Sequence, residues 1–86
     1  MIEDTSLKND DGIRIGSNIR RVREALNMKP GKLVKEVNLK GVDLNTFSLS
    51  KIESDRQHVR ASQFRAIKEV LDCSYDELLK REGDKG

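Results

Sequence analysis

The chain has 86 residues, of which 17 are Lys or Arg and 15 Asp or Glu, a formal net charge of +2, with 35% hydrophobic residues, two Phe, one Tyr and no Trp. A chain this short supports one domain around a modest core of Leu, Ile and Val, with little room for an elaborate active site. One cysteine excludes an intrachain disulfide, and no apolar run approaches the roughly 20 residues needed to span a bilayer. The opening residues lack the basic segment and apolar stretch of a signal peptide, so a cytoplasmic location is expected. Charge is distributed unevenly. Residues 1–12 and 82–86 hold six of the 15 acidic side chains but two of the 17 basic ones, which leaves a balance of +6 over residues 13–81. That balance suits a phosphate-bearing partner.

Residues 1–12 (MIEDTSLKNDDG) are polar and acidic with little periodicity, and read as a flexible acidic arm. Next, Ile15, Ile19, Val22 and Leu26 recur every three or four residues and define the apolar stripe of a first helix, with Asn27 as its stop. Pro30 fits the first turn of a second helix, where its missing N–H is no loss. Leu33, Val34 and Val37 give that helix its inner face. Residues 38–45 (NLKGVDLN) form a connection punctuated by Gly41. Asn45 is a suitable N-cap for a third helix, over residues 45–53, with Leu44 stapling its entry and Leu49 and Ile52 facing inward. Asp55 follows as a residue that tolerates a left-handed conformation. Phe64, Ile67 and Leu71 mark a fourth helix. Ser74-Tyr75-Asp76-Glu77 matches a capping box that opens a short fifth helix carrying Leu78 and Leu79. Residues 82–86 read as a disordered tail.

The runs IGSNIRRVREALN, LVKEV, SLSKIES and LDCSYDELL stand in an order that resembles the Cro/repressor-type (XRE) helix-turn-helix family over residues 13–80. The stretch Leu49-Ser50-Lys51-Ile52-Glu53 is similar to that family's most recognisable block, an aliphatic residue followed by a basic one, Ile and Glu. The resemblance implies an all-α, five-helix, lambda-repressor-like domain over residues 13–81. Its helix-turn-helix would be the second and third helices, and it would bind double-stranded operator DNA as a repressor-like transcriptional regulator. It also implies a structural ion pair between Arg23 and Glu53, and pairing as a homodimer on DNA that is weak in solution. Two departures from the family pattern stand out. Lys29-Pro30-Gly31 occupies the place where the family often has Gln, so that polar contact is not expected. The 38–45 connection is longer than the usual turn; it lengthens the second helix, alters the recognition angle, or brings Lys40 to the DNA backbone.

A helix in the major groove reads bases with side chains early in the helix and one turn later. Those positions are Thr46, Phe47 and Lys51. Lys51 can donate to guanine O6 and N7, and Thr46 offers a hydroxyl and a methyl. Phe47 either meets thymine methyls or folds back onto the 38–45 connection, the second being favoured. The candidates for phosphate contact are Lys32, Asn45, Ser48, Arg56, Gln57 and Arg60, with Asn45 serving chiefly as a cap.

Other residues read plainly. His58 stands alone in a polar loop and is expected to be solvated, and Cys73 is expected to pack. One His and one Cys do not make a zinc site. There is no phosphate-binding glycine loop and no nucleophile–base pair, so no catalytic residue, metal or cofactor is expected. The rival function is a protein-interaction module, such as an antitoxin or a regulatory partner from a phage or mobile element. Val70, Tyr75 and Leu79 are its candidate contacts.

Overall fold

A computed structural model describes residues 4–7 and 13–81. Those residues form five helices, α1 (Ile15–Ala25), α2 (Pro30–Leu39), α3 (Thr46–Glu53), α4 (Ala61–Leu71) and α5 (Tyr75–Leu78). Two short strands, β1 (Ser6–Leu7) and β2 (Val59–Arg60), pair antiparallel with Ser6 opposite Arg60 and Leu7 opposite Val59. No helix among the described residues is long and apolar enough to cross a membrane.

The inward stripes converge on one core. Ile19, Leu33, Val37, Leu49, Ile52, Ile67 and Leu78 are almost wholly buried, so every helix contributes to it. Burying each such side chain stabilises the fold by about 1.5–3 kcal/mol, and in a chain this small few of them are dispensable. Leu26 departs from expectation, because α1 ends at Ala25 and leaves that residue 51% exposed. The second helix also runs further than expected, through Leu39, and shortens the connection to residues 40–45. Asn38 and Leu39, the first two residues of that connection, thus belong to α2. Lys40 pairs with Glu69 of α4 at 3.4 Å.

Four helices end by the same device. Asn27, Gly41, Asp55 and Asp72 adopt positive φ after α1, α2, α3 and α4. The next N–H then donates to a carbonyl five residues back: Met28 to Arg23, Val42 to Val37, Arg56 to Lys51 and Cys73 to Lys68. This left-handed closure satisfies carbonyls that a helix end would otherwise leave unpaired. Asn and Asp accept the conformation with less strain than other side-chain-bearing residues.

The stretch expected as a flexible arm is partly ordered. The Thr5 carbonyl accepts a 2.7 Å hydrogen bond from the Ala61 N–H. The Asp4 carboxylate accepts from the Ser62 N–H at 3.0 Å and from the Ser62 hydroxyl. Asp4 therefore caps α4 from 58 residues away, where the chain around Arg60 supplies no acidic side chain of its own. Residues 1–3, 8–12 and the expected tail 82–86 lie outside the described residues.

Helix α1 crosses α3 at Gly16. A Cβ at this position would lie 1.7 Å from the Ile52 carbonyl oxygen, so only glycine lets the two backbones approach. Beside this crossing, the Ser17 hydroxyl donates to Asp55 at 2.7 Å. Gly16→Ala is expected to destabilise the fold by about 3 kcal/mol or more in urea unfolding, the upper end for overpacking. Gly31→Ala, with nothing within 4 Å of the new Cβ, should change stability by no more than about 1 kcal/mol, in the stabilising direction. Equal losses at both sites would contradict the crossing.

The Asp4 cap carries a pH signature. Its hydrogen bond from the Ser62 hydroxyl holds the carboxyl below its ordinary range. A carboxylate with a lowered pKa in the folded state contributes stability above its unfolded pKa, and that contribution is lost as pH falls through the folded value. The Ser62 amide protection factor should therefore fall as pH drops below about 4. Asp4→Asn should lower that protection already at neutral pH. Protection that is insensitive to both changes would remove the cap.

Candidate nucleic-acid interface

Helix α3 begins where the Asn45 side chain accepts a 2.7 Å hydrogen bond from the Ser48 N–H. Asn45 is thus engaged as a cap, which leaves its carboxamide nitrogen to face outward. Leu49, Ile52 and Glu53 turn into the protein, while Thr46, Phe47, Ser50 and Ser54 are exposed and Lys51 is half-buried. The connection before α3 is shaped by Asn38, whose amide donates to the carbonyls of Val42 and Leu44, both at 3.0 Å. Val42 and Leu44 point their side chains to the core.

That arrangement corrects the favoured expectation for Phe47. Its ring does not fold back onto the connection, in which Val42 and Leu44 are already turned inward. The ring is 69% exposed and the Lys51 ammonium sits over it, 4.5 Å from its centroid. Such a cation–π contact at an exposed site contributes about 0.5–1 kcal/mol. Phe47 and Lys51 therefore lie together on the outer side of α3, and Thr46 is exposed at its first turn.

Three of the expected phosphate contacts are also brought together. Ser48, Gln57 and Arg60 line a polar cleft of about 300 Å³ with Asp4, Asp43, Ser62 and Gln63. Arg56 is exposed next to them in sequence, and its Nε donates to the Ser54 hydroxyl at 2.9 Å. Lys32 pairs within its own helix instead, with its ammonium 3.7 Å from Glu36. On the other side of α3, Thr46, Ser50 and Ser54 border a groove of about 390 Å³ that reaches Arg20 and Pro30.

The position of α3 is held by Arg23. Its Nε and Nη2 donate to the two carboxylate oxygens of Glu53 at 2.7 and 2.9 Å, and Nη1 donates to the Met28 carbonyl at 2.7 Å. Both side chains are buried, 8% and 7% exposed. The hydrogen bond to Glu53 raises the Arg23 pKa, against burial that would lower it. With Glu53 compensated in this way, the only acid of α3 presents no free carboxylate to the solvent.

Some residues that position the site escape sequence reasoning. Gln63, buried in α4, accepts from the Arg60 N–H and donates to the Asp43 carbonyl, both at 3.0 Å. It joins the start of α4 to the connection before α3. Its place three residues after the cap position was the available signal, because Gln there commonly reaches back. Asn18 donates to the carbonyls of Leu78 and Lys80 and fastens α5 to α1; nothing in the local pattern marks it. Glu77 was expected to complete a capping box. The Ser74 hydroxyl does accept from its N–H at 3.1 Å, but the Glu77 carboxylate pairs with Arg21 at 3.0 Å.

His58 is exposed, and Cys73 is half-buried against the core. Burial raises the Cys73 pKa, with the nearby Glu77 charge acting in the same direction, so the group stays a thiol at neutral pH. Comparison of the chain with protein-family models, with curated proteins and with solved structures finds no match.

Removing one partner of a buried pair leaves the other charge without compensation, at about 3–5 kcal/mol. Glu53→Ala should destabilise the fold by that amount in urea unfolding. Arg23→Lys should also destabilise it, because an ammonium cannot make the planar fork. Glu24→Ala, which removes the exposed 3.2 Å pair with Arg20, should cost less than about 1 kcal/mol.

Proposed function

We propose that the chain is a sequence-specific binder of double-stranded DNA, a helix-turn-helix domain of the Cro/repressor type that acts as a transcriptional regulator. In this reading α2 and α3 are the helix-turn-helix, and α3 lies in the major groove. The single observation that carries it is the outward side of α3. Phe47 and Lys51 stand together there, Thr46 is exposed at the first turn, and the helix's one acid is buried against Arg23. A major groove about 12 Å wide admits such a helix, and its base edges offer the acceptors and methyl groups that these side chains suit.

Ser48, Gln57 and Arg60, gathered at one cleft, and Arg56 beside them would meet the phosphates that set register. Lys32 would serve less directly, since Glu36 competes for its charge. A domain of this size covers about half an operator, so two copies related by a two-fold axis would share one site.

A second reading has an observation of its own. Tyr75 and Leu79 are 41% and 37% exposed at α5, where Tyr75 also stacks on Phe64 with ring centroids 5.5 Å apart. An apolar patch of this kind suits a protein partner, whether a second copy or an unlike chain. Val70 is half-buried and contributes less.

Salt separates the two readings. Binding through phosphates weakens as a steep power of salt concentration, with a slope near −0.9 for each phosphate neutralised. An apolar interface has no such slope. Arg56→Ala should weaken binding to all sequences alike and reduce the slope by about 1, whereas Lys51→Ala should relax sequence preference. The reverse pattern would overturn the division of roles, and failure to bind any duplex specifically at low salt would overturn the DNA reading.

A further inference from the structure

We infer that Phe47 and Lys51 work as one composite reader, and that what they read is a C5-methylated pyrimidine stacked next to a guanine. The inference rests on the DNA reading above and names bases that it leaves open.

Phe47 is the second residue of α3, and Lys51 follows one turn later on the same stripe. The phenyl ring is 69% exposed, and the Lys51 ammonium lies in close contact with it. The contact restrains both groups. The ammonium covers one side of the ring and leaves the rest of its surface open. The ring likewise occupies one side of the ammonium, which has three N–H donors and keeps the others directed outward.

The spacing decides how the pair meets DNA. The ammonium lies 4.5 Å from the ring centroid. Stacked bases repeat about every 3.4 Å, so two groups this close together reach no further than about one base step apart. In the major groove guanine presents two adjacent acceptors, O6 and N7, which match a lysine donor. The apolar feature of that groove is the methyl on C5 of thymine, and 5-methylcytosine carries the same methyl in the same place. The ammonium thus takes the guanine, and the open part of the ring takes the methyl beside it. The helix offers no competing anion, since Glu53 is committed to Arg23.

The test begins with selection of bound duplexes from a random pool of unmodified DNA, followed by single-atom changes in the selected site. The selected site should contain a thymine next to a guanine. Uracil in place of that thymine removes only the methyl and should weaken wild-type binding about fourfold, as expected for one methyl group withdrawn from an apolar contact. Phe47→Ala should bind the thymine and uracil duplexes alike while remaining folded, with the helical circular dichroism of the wild type. Replacing the guanine by 7-deazaguanine should weaken the wild type but not Lys51→Ala. With cytosine at the thymine position, paired with guanine, 5-methylation should strengthen binding by the same factor of about four.

The inference is overturned if no thymine adjoins a guanine in the selected site, or if uracil and thymine are bound alike by the wild type. It is also overturned if the discrimination survives Phe47→Ala, or if 5-methylcytosine is bound no better than cytosine. Each of those results leaves DNA binding standing. A wild-type protein that selects no duplex at low salt removes the DNA reading itself, which is a different result.

Discussion

The guanidinium of Arg23 joins three parts of the chain that sequence keeps well apart. From the last turn of α1 it grips both oxygens of Glu53 at the end of α3, and it holds the Met28 carbonyl in the turn before α2. Two charges taken out of water in this way are each tenable only because of the other, and the planar fork sets their mutual angle as well as their distance. Glu53 adjoins Ile52, whose carbonyl packs against Gly16 one end of α1 away. Helix α1 therefore meets α3 at two points, through bare backbone at one and through an ion pair at the other. Both points fall on the last residues of α3, Ile52 and Glu53, and so fix which side of that end faces α1. The outward set of Thr46, Phe47, Ser50 and Lys51 follows from that restraint, and so does any use made of it.

The connections around α3 serve the same end. Asn38 fixes the loop before the helix, Asn45 caps its start, and Asp55 closes it in a left-handed turn while accepting from Ser17 of α1. Gln63 ties that loop to α4, and Asp4 caps α4 in turn. Among the described residues, no buried side-chain nitrogen or oxygen lacks a hydrogen-bond partner. In a protein with so small a core, this satisfaction matters, since one unpaired buried group costs about 1–3 kcal/mol.

Local rules made much of this legible in the sequence. Apolar spacing marks all five helices, and Pro30, Asn45 and Ser74 announce three of the starts because their effects act within one helical turn. Asn27, Gly41 and Asp55 signal ends for the same reason. What was hidden depends on partners distant in sequence. Gly16 looks like an ordinary helical glycine until the Ile52 carbonyl lies against it, and Asp4 looks like one acid of a polar arm until α4 presents unpaired N–H groups. Phe47 was misjudged because which way the connection turns its side chains is set by the core, and the core claims Val42 and Leu44. The Arg23–Glu53 pair followed from resemblance alone; no periodicity connects residues 30 positions apart.

The bridge between Ile13 and Arg81 gives the fold a property that the helices alone do not. Strand-paired residues lie about 5 Å apart, so the helical body starts and finishes at one place on its surface. This pairing closes a loop of almost the whole helical body, at an entropic cost that grows only slowly with loop length. It also means that Ile13 and Arg81, at the two ends of the helical body, are neighbours. A short link from Arg81 back to Ile13 would join the helical body end to end, so that it could be reopened at one of its turns with its helices in place.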